Sequence, residues 1–205
     1  MIRSALVRLL VVTAGAAALS GCALLASPEP VQTYRFGAAA GPALEAGPNV
    51  TLRQISLRPV AFPDAVEGDR LLGVTGTETA YIKGARWVSR AQDLYMDSLE
   101  GAFAAQSSRV RLIGQRELIR GDRSLDIDVR SFEARYDTPG AAPTVVFVAR
   151  ARLLTLPDRA VAAERTFTIE QPAAANRVGS IVEAFDIATR DMNTQIVAWT
   201  DANAG

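Results

Sequence analysis

Histidine is absent from the 205-residue chain, cysteine occurs once, at Cys22, and lysine once, at Lys83. These shortages remove whole classes of chemistry. Without histidine there is no Ser-His-Asp triad and no Cys-His pair. A lone cysteine cannot close an internal disulfide. No glycine-rich loop stands between a strand and a helix, as a phosphate cradle requires, and "GTET" and "GAR" read as turns. No excess of one charge sign is present either: 22 Lys and Arg face 22 Asp and Glu. Nothing therefore points to nucleic acid or another polyanion as partner. The near-exclusive use of arginine over lysine reads as genome composition rather than function.

What is present begins at the N-terminus. Arg3 and Arg8 give a positive start, Leu9–Leu19 form a short apolar run, and Ser20 and Gly21 follow. This layout predicts a secretory signal peptide over residues 1–21, too short and wrongly flanked to span a membrane as a helix. Leu19-Ser20-Gly21-Cys22 resembles the lipobox of bacterial lipoproteins. That resemblance implies cleavage before Cys22, diacylglycerol on its thiol and acylation of the new amine. It also gives the lone cysteine a purpose and leaves no thiolate for metal or redox work. Each buried methylene contributes about 0.8 kcal/mol, so two or more chains anchor stably. Ala23 rather than Asp follows the cysteine, which by analogy with enterobacterial sorting favours the outer membrane. Loss of Arg3 and Arg8 leaves 20 basic residues against 22 acidic ones.

From Ala23 to Pro48 the chain is rich in Ala, Gly and Pro. It reads as a flexible tether over residues 22–48 with little core-forming content. About 25 such residues have an r.m.s. reach of roughly 25–30 Å. Tyr34 and Phe36 interrupt it at strand spacing, as a short edge strand docking the tether would.

A folded domain is expected over residues 49–205. "NVTLRQISLRPV" reads as a strand with a bulge, and "RLLGVTGTETAYIKGARW" as a hairpin. Ala91, Leu94, Tyr95, Ser98, Leu99, Ala102 and Phe103 recur at helical spacing, with Ser89 and Gln92 as a capping box. Val110 and Leu112 mark a short strand. Leu125, Ile127 and Val129 alternate with polar residues, and past Ser131 the phase moves to Phe132, Ala134 and Tyr136, which predicts a bulge. Two more strands follow, around "TVVFVARARLL" and Val161–Ile169, completing an antiparallel meander. Val178 to Trp199 carries the apolar stripe of a second helix, with Asn176 or Ser180 as cap. The order predicts a two-layer α+β domain with a mostly antiparallel sheet and two main helices.

Asp126 and Asp128 stand about 6.5–7 Å apart on one strand face. That spacing suits a hard cation or paired-carboxylate catalysis, but alternation on a solvated strand explains it better, so no metal or catalytic site is assigned.

Several stretches resemble the ABC-type transport auxiliary lipoprotein family: the lipobox, Tyr34 and Phe36, "LRQISLRPV", "TAYIKGARWVSRAQDL", "LDIDVRSFEARY" and the closing "QIVAWTD". Arg58-Pro59 replaces the Leu-Pro pair of many members. The resemblance implies a fold similar to the TolB N-terminal type. It also implies a non-enzymatic role without cofactor in an intermembrane lipid pathway. There an inner-membrane ABC transporter works with an MCE-type protein, and the lipoprotein docks or bridges at the outer membrane and supports envelope integrity. Two alternatives stand beside it: an outer-membrane assembly or cell-wall accessory lipoprotein, and a lipid-anchored enzyme using Asp, Glu, Arg and Tyr alone.

For the partner surface, Tyr81, Ile82, Lys83, Arg86 and Trp87 lie in a turn-rich projection bounded by Gly76 and Gly84. Tyr, Trp and Arg are enriched at binding hot spots, and projecting loops carry function. A structural alternative has Trp87 packed on Leu94 at the helix entry.

Overall fold

The 14-residue strand β6 (Arg123–Tyr136) is the spine of an eight-stranded sheet in a computed structural model that describes residues 31–37, 52–115, 117–119 and 121–205. The signal peptide, Cys22 and the start of the predicted domain at Asn49 lie outside these residues. One edge of β6 pairs antiparallel with β7 (Thr144–Thr155) over its whole length, and β7 pairs antiparallel with β8 (Val161–Pro172). The expected meander forms because each strand keeps one apolar face. Leu125, Ile127, Val129, Phe132 and Ala134 are all buried, and a register shift between Val129 and Ser131 restores the face after the phase change.

The other edge of β6 is divided. Its first residues pair in parallel with β2 (Arg53–Leu57), which also takes β5 (Val110–Ile113) in parallel. Its last residues pair in parallel with β3 (Arg70–Thr75). Ala61 fills the interval: its N–H donates to the Ile127 carbonyl at 2.9 Å, and its carbonyl accepts from Val129 N–H at 2.8 Å. β3 then turns into β4 (Glu78–Trp87), an antiparallel hairpin, and β1 (Gln32–Tyr34) pairs in parallel with the end of β4. The long pairings are antiparallel as expected; the parallel ones are short and join segments far apart in sequence.

Three helices accompany the sheet: the one-turn α1 (Asp64–Glu67), α2 (Ala91–Gln106) and α3 (Val178–Asn203). The predicted stripes form the core, with Tyr95, Leu99 and Phe103 from α2 and Ile181, Phe185, Met192 and Ile196 from α3 all buried. Rings interlock across the layers: Tyr95 lies 5.2 Å from Phe147, and Phe132 lies 4.8 Å from Phe185. Between the helices, buried Asn193 donates to Ser98 Oγ at 2.8 Å.

Neither predicted cap forms. α2 is capped at Arg90 and α3 at Arg177, both without a side-chain bond. Gln92 instead donates to the Val60 carbonyl, and Asn176 to the Gly140 carbonyl. Each amide satisfies a distant loop carbonyl that the local pattern does not reveal. No helix among the described residues is long and apolar enough to cross a membrane.

Candidate functional site

The β3–β4 hairpin is built around two glycines with positive φ. Gly76 (φ 59) makes the turn. Gly84 (φ 74) lies in a wide bulge, since Leu72 faces Tyr81 while Arg70 faces Arg86. Both glycines adopt the left-handed backbone that side chains resist. β1 covers only Ala85–Trp87, so from Glu78 to Gly84 the outer edge of β4 has no strand partner among the described residues.

The five sequence-predicted residues separate here. Trp87 is only 2 % exposed. Its ring lies 4.8 Å from Phe36, 5.4 Å from Phe185 and 6.3 Å from Phe132. It is a core residue, packed on these rings. The reason is strand parity: Ala85 and Trp87 point inward, whereas Arg86 points out. Arg86 holds Asp69 through both carboxylate oxygens, at 3.0 and 2.8 Å. Tyr81 is 37 % exposed. The Arg70 guanidinium stacks 3.7 Å from its ring centroid, and its hydroxyl donates to the Ala65 carbonyl at 3.2 Å. Ile82 is half-buried and Lys83 is exposed. Tyr81, Ile82, Lys83 and Arg86 therefore share one projection, without Trp87.

Beside the open edge lies a groove of about 310 Å³, with Gly73, Ala80, Ile82 and Tyr136 among its walls. A Cβ at Gly73 would come within 3.2 Å of the Tyr136 ring, so glycine makes room for that ring. Partial burial raises the pKa of the Tyr136 hydroxyl, which stays a neutral donor. The place of Tyr136 was not apparent from sequence, because only the parallel β3–β6 pairing brings it to the hairpin.

Asp126 and Asp128 have another occupation. Asp126 accepts from Arg152 at 2.6 Å, and Asp128 accepts from Arg130 at 2.8 Å and Arg150 at 3.3 Å. The carboxylates belong to a charge ladder on the sheet face away from the helices. No group of three or more Asp, Glu, Cys or His residues among the described residues is placed to hold a metal ion.

The hairpin offers an amphipathic surface: a groove of mixed polar and apolar lining, an open strand edge, and arginines paired with a carboxylate and a ring. Such a surface suits recognition of a macromolecule.

Comparison with known proteins agrees with the fold and extends it. A crystal structure of a Xanthomonas campestris protein, assigned to family DUF330, is similar over 85 % of this chain and 94 % of its own, with a TM-score of 0.67 and 25 % identity. A hypothetical protein from Chlamydia trachomatis shares the fold at a TM-score of 0.51 and 12 % identity, over 75 % of this chain and 98 % of its own. No curated protein matches the chain. The family model described as the ABC-type transport auxiliary lipoprotein component matches residues 34–197, which runs from the end of β1 to the last turns of α3. The chain belongs to the ABC-type transport auxiliary lipoprotein family.

Proposed function

We propose that this protein is a lipid-anchored, non-enzymatic docking subunit of an intermembrane lipid transport system. Cys22 carries the lipid at the outer membrane, and the domain faces the periplasm. The β3–β4 hairpin takes up an MCE-type protein that works with an ABC transporter. The observation that carries this reading is the exposed hairpin edge with Tyr81, Ile82, Lys83 and Arg86 beside a groove, on a chain whose family assists ABC-type transport. Tyr and Arg dominate binding energy where they can be desolvated by a partner. The Arg70–Tyr81 and Arg86–Asp69 contacts hold those side chains in place beforehand, which lowers the ordering cost of association.

A pulldown with the soluble domain as bait and an MCE-type protein from the same genome as prey tests the proposal. Tyr81→Ala and Arg86→Ala are expected to weaken capture at least about tenfold each, within the range of hot-spot truncations. Both variants keep the core and should melt nearly as the parent does. Capture that survives both substitutions would exclude the hairpin. Neighbouring genes for cell-wall or outer-membrane assembly, without MCE and permease genes, would favour an accessory role in those processes.

A further inference from the structure

Between β5 and β6 the chain returns to the end of the sheet where β6 begins. Both ends of this loop are held. Glu117 N–H donates to the Gly114 carbonyl at 3.2 Å, and the Glu117 carboxylate accepts from Arg111 at 2.7 Å. Gly121 N–H donates to Ser56 Oγ at 3.0 Å, and Asp122 accepts from Arg53 at 2.7 Å. A Cβ at Gly121 would stand 2.2 Å from the Gln54 carbonyl oxygen, so glycine alone permits this approach to β2. Between the held ends stand Leu118, 101 % exposed, and Ile119, 50 % exposed.

These two side chains have company. Leu156 N–H donates to the Asp122 carbonyl at 2.9 Å. Val161 faces Leu154, which faces Ser124 near the start of β6. Leu156 and Val161 are exposed as well. Of the seven large hydrophobic residues exposed among the described residues, four thus lie at this end of the sheet. Single exposed apolar residues are ordinary, whereas a group of them marks a surface that something covers. Leu118 and Ile119 stand out on a tip and do not line a groove. A tip of this kind enters a fluid apolar layer without needing a matching pocket.

The charges at this end fit a phospholipid surface. Arg109 and Arg159 are exposed there, with Asp158 beside the second. Arg116 and Arg120 bracket the Leu118–Ile119 tip in sequence. Arg53 and Arg111 already hold Asp122 and Glu117. Guanidinium groups match phosphate oxygens through paired N–H donors, while neighbouring apolar side chains sink below the headgroups. A bilayer is also the surface that a lipoprotein family works beside.

We propose that Leu118 and Ile119 insert into a phospholipid bilayer, with the surrounding arginines at the level of the phosphates. The β3–β4 turn lies at the other end of the sheet, since Thr75 pairs with Tyr136, the last residue of β6. Lipid at the tip and a protein at the hairpin therefore do not compete. The proposal goes beyond the docking function and stands apart from it, because partner capture by the soluble domain uses no lipid.

Tryptophan fluorescence tests it. Trp87 and Trp199 are buried, so an indole placed at position 118 by Leu118→Trp reports its own surroundings. The chain from Cys22 onward is joined through that single thiol to a maleimide lipid on a polyethylene glycol spacer. The vesicles contain phosphatidylethanolamine and phosphatidylglycerol, with or without bromine high on the acyl chains. Brominated chains are expected to lower emission from position 118 at least about twofold, since an interfacial apolar group sits about 5–10 Å into the headgroup and acyl boundary. Val88→Trp, at an exposed apolar position away from this end, is the control and should keep its emission. Adding Ile119→Asp to Leu118→Trp should restore most of the lost emission. Equal quenching at positions 118 and 88, or none at 118, would overturn the proposal. An indole at 118 that stays unquenched by lipid but shifts to the blue on adding an MCE-type protein would assign the tip to a protein instead.

Discussion

At Trp87 the side chain is committed to the core, with Phe36, Phe132 and Phe185 around it. Trp87→Ala is expected to cost about 3–5 kcal/mol, the range for a large buried ring. For a domain of this size that lowers the melting temperature by roughly 6–20 °C. Tyr95 is the opposite case. It is fully buried and its hydroxyl has no hydrogen-bond partner among the described residues. Removing an unpaired buried polar group removes its desolvation cost, so Tyr95→Phe should be neutral or stabilising by about 1 kcal/mol. Burial also raises the Tyr95 pKa above its ordinary 10.0. The folded state thus keeps a proton that the unfolded chain releases. Stability is unaffected below pH 10 and falls as pH rises beyond it, by at most about 1.4 kcal/mol per pH unit. Denaturant melts of the parent and Tyr95→Phe at pH 8 and pH 11 should show this loss reduced in the variant.

The long elements were legible in the sequence, and the reason is local. Alternation along Leu125–Val129, its phase change after Ser131 and the stripe from Val178 to Trp199 are each written within one segment. The four parallel pairings join segments distant in the chain, so no local period announces them. For the same reason the caps were misplaced: the carbonyl that takes the Gln92 amide belongs to Val60. Of the candidate site, the projecting hairpin and the outward residues Tyr81 and Arg86 could be read. The burial of Trp87 and the arrival of Tyr136 depend on neighbours supplied by the fold. On the opposite sheet face, the charge ladder leads to a prediction about Asp126 and Asp128. Their pairs with Arg152 and Arg150 keep 18–32 % of side-chain exposure, so water still screens them. Asp126→Asn with Asp128→Asn should therefore cost less than about 4 kcal/mol and leave partner capture unchanged. Thermal melting and the same pulldown read both effects.

For the whole molecule, the pairing of Gln32–Tyr34 with β4 and the burial of Phe36 bring this leading segment into the described fold. A domain beginning at Val31 should be soluble and fold as the parent does. One beginning at Leu52 loses Phe36 and leaves a gap against Trp87, so it should melt lower by the equivalent of about 3–5 kcal/mol. Adding a peptide of residues 31–37 in excess should recover part of that loss, since binding to the folded state stabilises it by mass action.

The division of one β6 edge between β2 and β3, closed by Ala61, has a consequence for amide exchange with deuterium. β6 is flanked by β7 along one edge and by β2, Ala61 and β3 over much of the other, so its paired N–H groups open only when much of the sheet does. The N–H groups of Leu125, Ile127, Val129 and Ala134 should be among the slowest to exchange, at rates set by global unfolding. Those of Thr79 and Ala80, on a strand with one open edge, should exchange through small openings orders of magnitude sooner. Adding denaturant below the unfolding midpoint should speed the first group steeply and leave the second nearly unmoved. The hairpin can thus yield locally to a partner while the strand beneath it stays closed.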